Sequence, residues 1–497
     1  MKKVHLSMIN LWCNKNLVDS QLFLWKLLSE NPDKVEYYTE PYDSHVEIVL
    51  LNTCGFISSW REEMFQTIDK LLKAKKRICL IGCGVQYFEK VLKKISFKEP
   101  HPSPLKTSPK SSPDREDLWD LQSPGEGTEK RDDESLLLIG GDWEEVLKQE
   151  LKTREKIISN EHISYLSWND LTFANIESLT KRSQNFDDFC RYSAPRLLTN
   201  YENRYEYLKI AEWCNNSCAF CIIPQIRWKL TSLPIQSILS EAENLLKQWI
   251  EELIIVAQDT MRYWTDFSSK SQLLPLLHEL DKLPYDFEYR ILYLYPDILT
   301  LKQLEEFASL EKFIPYFDIP LQHISPKLLK SMGRFFDDKM INTLLKWIRS
   351  IFPTSFIRTN IIIWFPGETD EDIQLLQSFL NEDYFDNVAL FEYHDEPLAK
   401  SSTFDNKVPD DIIHSRFNTI RRQVDKLLKA REKKRKWKNQ IGFVEGIEQK
   451  KNQIFLSIRP EINCPEIDPV DEVELENVIQ CFYGEEIEIG SRVEYVV

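Results

Sequence analysis

The chain has 497 residues, too many for one core and enough for two to four domains, each with its own buried interior. A net charge of −16 counts against a surface that grips nucleic acid through its phosphates, because that mode needs basic side chains to displace counterions. No apolar run reaches the roughly 18 residues of a membrane helix, and "MKKVHLSMINLWC" lacks the apolar stretch of a signal peptide. The expected setting is therefore the reducing cytoplasm, where ten cysteines favour metal or redox chemistry over disulfides.

Strand and helix patterns alternate from the start: "KVHLSMI", "VDSQLFLWKLLSE", "HVEIVLLNTC", "REEMFQTIDKLLKAKK", "RICLIGC". This rhythm predicts a small parallel α/β domain over residues 1–155. Cys13, Cys54 and Cys83 each follow a predicted strand. Strand ends on one edge of an α/β sheet converge, so the three can meet at one site, although any of them alone reads as a core cysteine. Residues 96–135 are rich in Pro, Ser and charge and predict a disordered insertion. "LLLIGGDWEEVLKQ" then resumes the rhythm.

From 200 to 430 the strand candidates are "YLKIA", "ELIIVAQD", "FEYRILYLYP", "YFDIPLQ", "FIRTNIIIWF" and "NVALFEYH", separated by helical patterns. Six βα-type units predict a full or partial barrel of parallel strands, with reactive groups at the C-terminal strand ends. Directly after "YLKIA" comes "AEWCNNSCAFCIIP", carrying Cys214, Cys218 and Cys221. A structural zinc site wants four closed ligands and no second close pair follows, whereas three thiolates on an iron-sulfur cluster leave one iron open to activate a small molecule. Zinc and inert thiols remain as alternatives. Gln258, Asp259, Gln322 and His323 also fall at strand ends, where they are candidates to contact cofactor or substrate; for His323 a core hydrogen bond is the competing role. In "FPGETDED", Thr369 is expected to cap a helix. Cys79, Cys190, Cys464 and Cys481 read as structural. A basic helix, "RRQVDKLLKAREKKRK", leads into 437–497, where short alternating strands predict a small all-β barrel. That tail carries thirteen Asp and Glu against five Lys and Arg, a sign that repels an RNA backbone and attracts a basic protein.

"CNNSCAFC" resembles the C-x3-C-x2-C signature of radical S-adenosylmethionine (SAM) enzymes. The resemblance implies a four-iron, four-sulfur cluster on Cys214, Cys218 and Cys221 whose open iron chelates SAM, with Phe220 near the adenine and a 5′-deoxyadenosyl radical that removes hydrogen from an unactivated carbon. Together with Cys13, Cys54 and Cys83, the three-part layout resembles the methylthiotransferases. These join an N-terminal methylthiotransferase domain, holding a second 4Fe-4S cluster for sulfur insertion, to a central radical-SAM barrel-like domain and a C-terminal TRAM domain. The implied reaction replaces C–H by C–SCH3, with SAM as radical source and methyl donor and an electron from a donor such as flavodoxin or ferredoxin. The RimO-type branch modifies the β-carbon of an aspartate in the twelfth small-subunit ribosomal protein, and the MiaB-type branch an adenosine of tRNA. "CNKNLVDSQ", "VAQDT", "YLYP", "YFDIPLQH", "FPGETDED" and "CPEIDP" look like the ribosomal-protein branch. A non-catalytic Fe-S or zinc-binding interaction protein is the reading from another class.

The chain departs from that family pattern in one direction: Trp12, Trp25, Trp213, Trp228, Trp249, Trp264, Trp364 and Trp437 stand where the family has glycine. The chain has thirteen glycines and thirteen tryptophans, although glycine usually makes up about 7% of residues. The expectation is that UGA codons for glycine have been read as tryptophan. Thr231 and Leu233, where the family has arginine, fall outside that pattern.

Overall fold

The computed structural model describes residues 3–11, 14–54, 58–84, 87, 163–165, 196–198, 204–226, 229–435, 438–450, 453–482 and 486–497. The expected insertion, the "LLLIGGDWEEVLKQ" segment, Trp12, Cys13, Cys190, Trp228 and Trp437 lie outside these residues.

The first sheet is built from β1 (Val4–Asn10), β2 (Val35–Tyr37), β3 (Ile48–Thr53), β4 (Arg77–Gly82) and β5 (Ile163–Tyr165), with α1 (Asn14–Glu30) after β1 and α2 (Ser58–Lys73) after β3. All its pairings are parallel, in the order β2-β1-β3-β4-β5. β3, "IVLLNT", is buried along its whole length, as a central parallel strand covered on both faces must be. β5 lies past residue 155, where the first domain was expected to end; its pairing with β4 carries the sheet further along the chain.

The second sheet joins β6 (Tyr205–Lys209), β9 (Glu252–Val256), β10 (Glu288–Ile291), β11 (Phe313–Asp318), β12 (Phe356–Ile363) and β13 (Asn387–Glu392). It is again all parallel, in the order β13-β12-β11-β10-β9-β6. β6 and β13 stand at its two ends, so it is an open, partial barrel. Between β6 and β9 lie a short antiparallel ribbon, β7 (Ala211–Glu212) and β8 (Thr231–Ser232), and the helices α3 (Ile223–Ile226) and α4 (Ile235–Leu246). α5 (Leu273–Asp281), α6 (Leu301–Phe307), α7 (Pro326–Ser331), α8 (Asp338–Ile351), α9 (Asp370–Leu380) and α10 (Asp410–Arg435) complete the layer. Side chains alternate between faces along each strand. Leu208, Leu253, Ile255 and Ile291 pack toward the helices, while Tyr205, Tyr207, Ile254, Val256 and Tyr316 pack with Val18 and Leu22 of α1 and with Cys464. α8 shows how a helix joins this core: Ile341, Leu344, Leu345 and Ile348 form one buried stripe, and Asp337 caps the start by accepting from Met340 N at 2.8 Å.

The tail forms an antiparallel sheet of β14 (Asn439–Lys450), β15 (Gln453–Pro460), β16 (Asp471–Glu474), β17 (Val478–Cys481) and β18 (Arg492–Val496), ordered β16-β15-β14-β18-β17. The "CPEIDP" segment docks this sheet on the barrel's inner face. Tyr205 and Tyr207 donate to Glu466, each at 3.0 Å, and Tyr316 donates to Asp468 at 2.7 Å. The fully buried Arg290 donates to the carbonyls of Glu461 and Ile462. The described residues all fall in one compact unit. None of its described helices is long and apolar enough to cross a membrane.

Nine described non-glycine residues have positive φ, and four of them are Trp213, Trp249, Trp264 and Trp364, at 66°, 68°, 74° and 61°. Trp25 sits inside α1, where the backbone makes no such demand.

Candidate active site

Cys214, Cys218 and Cys221 lie in the loop that leaves β7 and enters α3, at the C-terminal edge of the barrel strands. The loop is held by what is not cysteine. Asn215 Oδ1 accepts from Leu230 N at 2.9 Å, and Asn216 Nδ2 donates to Asp259 Oδ2 at 2.7 Å. Ala219 N donates to Met332 O, and Ala219 O accepts from Ser401 N, both at 2.9 Å. Gly333 (φ 73°) packs so closely that a Cβ there would stand 2.8 Å from Ser217 O, so only glycine admits this approach. With its neighbours fixed, the loop leaves three half-buried thiols as its free chemistry. Burial pushes Cys214 up to about 11 and Cys221 up to about 12, and the Cys218 thiol beside Cys221 adds to its shift. Among the described residues no three His, Cys, Asp or Glu side chains already stand as a single-ion site. The fit to a polynuclear iron-sulfur group rests on the donor set: three thiols on one loop, close enough to affect each other's protonation.

Around the loop is a ring of buried polar groups from four other segments. Asp259 is pushed up to about 6 by burial, while the Asn216 amide and Arg262 pull the other way; Arg262 Nε lies 3.1 Å from Asp259 Oδ2. Arg262 also pairs with Asp297 at 2.5 Å. Arg334, only 6% exposed, sets its guanidinium 4.4 Å from the Tyr295 ring centre and 5.6 Å from that of Phe220. Six buried atoms in this ring lack a hydrogen-bond partner: Gln258 Oε1, Asp259 Oδ1, Asp297 Oδ1, Arg334 Nε, Arg334 Nη1 and Arg262 Nε, the last of these paired with Asp259 only as an ion pair. Buried polar atoms are normally satisfied, so a cluster of orphaned acceptors and donors fits a zwitterionic ligand with amine, hydroxyl and carboxylate groups. A groove of about 420 Å³ opens beside Asp297, lined largely by Leu299, Leu301, Met340, Leu344 and Trp347.

Of the residues singled out from the sequence, Phe220, Gln258 and Asp259 gather at this loop. Gln322 is half-buried at φ 73°, and its backbone bridges Asn360 O and Ile362 N. His323 is fully buried; Nδ1 accepts from Ser325 N at 3.0 Å, while Nε2 has no hydrogen-bond partner and lies 4.0 Å from Glu368 at the entry to α9. Burial lowers it to about 4, so it is neutral. Thr369 caps α9 as expected, with Asp372 reaching back to Thr369 N. Sequence reasoning missed Asn216, Arg262, Tyr295, Asp297 and Arg334. "YLYP" had drawn notice as a motif, and its continuation into Asp297 at a strand end was the available signal.

At the first sheet, Thr53 pairs with Gly82 across β3 and β4, so Cys54 and Cys83, each one residue further on, leave the same edge side by side. Both are buried. Asn16, in the first turn of α1, reaches Thr53 O at 3.5 Å and Cys83 Sγ at 3.9 Å, which brings the segment following Cys13 to the same place. Asn52 fastens the edge, donating to Asn10 Oδ1, Asn16 O and Ser20 Oγ. Cys79 points into the core and burial pushes it up to about 12. Buried ion pairs tie the helices of this sheet to the barrel: Lys209 holds Asp19 of α1 and Glu212, two residues before Cys214, and Arg61 of α2 donates to Glu396, past β13, at 3.0 Å.

The model of the Radical SAM superfamily matches residues 208–380, and that of the Uncharacterized protein family UPF0004 matches residues 5–99. The chain is similar to the ribosomal protein uS12 methylthiotransferase RimO of Chlamydia pneumoniae, with 32% identity covering 94% of this chain and 86% of that protein. It is also similar to the proteins of the same name from Dictyoglomus thermophilum (30% identity, 99% and 96% covered) and from a Nitratiruptor species (29%, 96% and 94%). Among solved structures, the radical SAM methyltransferase TsrM from Kitasatospora setae aligns at a TM-score of 0.45 with 12% identity, covering 78% of this chain and 75% of that one.

Proposed function

The chain belongs to the ribosomal protein uS12 methylthiotransferases, radical SAM enzymes of the RimO type, and from that premise we propose that it places a methylthio group on the β-carbon of an aspartate of uS12. The observation that carries this is the strand-end loop: three thiols beside the unpartnered buried atoms of Gln258, Asp259 and Arg334. Cys214, Cys218 and Cys221 hold one 4Fe-4S cluster, and Cys13, Cys54 and Cys83 hold the other. Phe220 lies against the adenine of SAM, Arg334 takes its carboxylate, and Gln258 and Asp259 accept from its amine or hydroxyl groups. When bound, these cofactors supply the electron path, the hydrogen-abstracting radical and the methylthio group.

The protein's own share is positioning and charge. Asn216 and Arg262 hold one oxygen of Asp259 and leave the other to the ligand. Met332 O and Ser401 N pin Ala219, so the loop keeps its shape when the thiols are loaded. The tail sheet suits a basic protein rather than RNA: half-buried Glu474 and exposed Glu476 stand close enough that a hydrogen bond between them, with their mutual repulsion, raises Glu474. A lysine- or arginine-rich partner relieves that repulsion, whereas a phosphate backbone adds to it. A flavodoxin- or ferredoxin-type donor supplies the electron, and a ribosomal substrate places the enzyme in the cytoplasm.

The test is one anaerobic assay of reconstituted protein with SAM and reductant, offered uS12 and tRNA side by side. Methylthio mass on a uS12 aspartate with unmodified tRNA is the expected outcome; a modified adenosine with unmodified uS12 overturns it. Zinc in place of iron, with SAM left intact, makes the chain a binding protein instead.

A further inference from the structure

We propose that Trp213, Trp249, Trp264 and Trp364 are glycine in the protein as its own cell makes it, the codon at each being UGA decoded as glycine. Only a few per cent of non-glycine residues adopt positive φ, mostly Asn, Asp and His, and a bulky residue there is an outlier. Here four of the seven described tryptophans do so, and the other three, Trp25, Trp60 and Trp347, lie inside helices. As many tryptophans as glycines occupy the left-handed region among the described residues, the glycines being Gly82, Gly333, Gly367 and Gly490.

Functional strain does not account for the set. Trp249 follows the C-terminus of α4, its N–H closing on Leu246 O at 3.2 Å, in a left-handed position where helices commonly end on glycine. It stands at the strand-start edge, two residues before Glu251, which pairs with Arg204, and its indole is 82% exposed. Nothing catalytic lies there to maintain a strained tryptophan. At the active edge the consequence is larger. Trp213 is buried and directly precedes the first cysteine of the loop, so glycine there removes an indole next to that thiol. Trp264 follows the turn after Asp259, its N–H donating to Ser232 Oγ, and Trp364 directly follows β12. One codon reading accounts for both the placement and the composition, thirteen glycines where a chain of 497 residues usually has more than twice that number.

Peptide mass spectrometry of the protein purified from its native cells decides the matter. Peptides spanning 213, 249, 264 and 364 are expected to carry glycine; tryptophan at these positions overturns the proposal. A second measurement uses two full-length recombinant chains, one as written and one carrying Trp213→Gly, Trp249→Gly, Trp264→Gly and Trp364→Gly. The glycine chain is expected to melt a few degrees higher and to take up more iron on reconstitution. Trp364→Gly alone is the sharpest arm, because the indole N–H of Trp364 donates to Tyr393 O at 2.7 Å. A native tryptophan makes that variant melt lower, and a native glycine makes it melt higher.

Discussion

Cys214, Cys218 and Cys221 come from eight consecutive residues of one loop, whereas Cys54 and Cys83 come from the ends of two neighbouring strands separated by a helix. In the barrel loop, spacing along the chain sets the thiols and distant segments hold the loop still, through Asp259, Met332, Gly333 and Ser401. In the first sheet, parallel pairing does the gathering: wherever Thr53 pairs with Gly82, the next residue of each strand must share an edge. The local trio thus depends on its surroundings, and Cys54 and Cys83 on their sheet.

The largest expected effect separates the two trios outright. Cys218→Ala is expected to remove about four irons per chain and to lower both SAM cleavage and methylthio transfer by at least about 1,000-fold. Cys54→Ala is expected to remove a similar amount of iron and abolish methylthio transfer, while SAM cleavage stays within about threefold, since the sites are distinct. Iron assay with quantification of 5′-deoxyadenosine checks both. Loss of SAM cleavage in Cys54→Ala breaks the comparison, because the trios would then be one functional unit.

The next effect concerns what joins them. Lys209 is buried between Asp19 and Glu212, so Lys209→Met leaves two carboxylates without their shared cation, a loss of about 3–5 kcal/mol in denaturant unfolding. Because that cation spans from α1 to the residues before Cys214, surviving protein is expected to form more 5′-deoxyadenosine per methylthio group transferred. An unchanged ratio reduces the pair to a folding contact.

The barrel trio and the Cys54 and Cys83 pair were legible in the sequence, for different reasons. The barrel trio is a spacing motif, and the sheet pair follows once "HVEIVLLNTC" and "RICLIGC" are read as adjacent parallel strands. The strands themselves show because β-branched and aromatic runs are bounded by turns. What stayed hidden was the shell that makes a thiol loop into a site. Arg334, Tyr295 and Asp297 reach Cys218 and Phe220 from turns far along the chain, and no local period marks a residue recruited across a barrel. β5 escaped because three residues cannot show alternation. "CPEIDP" was recognised as a family feature, yet its physical task, seating Glu466 and Asp468 under the tyrosines of β6 and β11, appears only in three dimensions.

Arg334 tests that hidden shell. Arg334→Gln keeps a polar side chain but removes the charge, and the expected result is SAM binding weakened about 10- to 100-fold in equilibrium dialysis, with iron content unchanged. Unaltered SAM binding would limit Arg334 to bracing Phe220 and Tyr295.

His323 shares the strand-end placement of Gln258 and Asp259 but lies fully buried, with Nδ1 bound to Ser325 N. It is held down to about 4 by burial, and its neighbour Glu368 is pushed up to about 7 by burial as well. Folded Glu368 keeps a proton that the unfolded chain releases, so its contribution to stability falls as pH rises from about 4.5 to 7. Folded His323 refuses a proton that the unfolded chain accepts, so its contribution rises as pH climbs from about 4 to 6.5. In the wild type these opposite slopes cancel over most of that window. His323→Gln retains an acceptor for Ser325 N and removes one slope, so the variant is expected to lose about 1–3 kcal/mol relative to wild type between pH 5 and 7, read from urea midpoints. Parallel curves for the two proteins would mean that His323 titrates normally in the folded state; a histidine open enough for that belongs with the cysteine loop and not with the core.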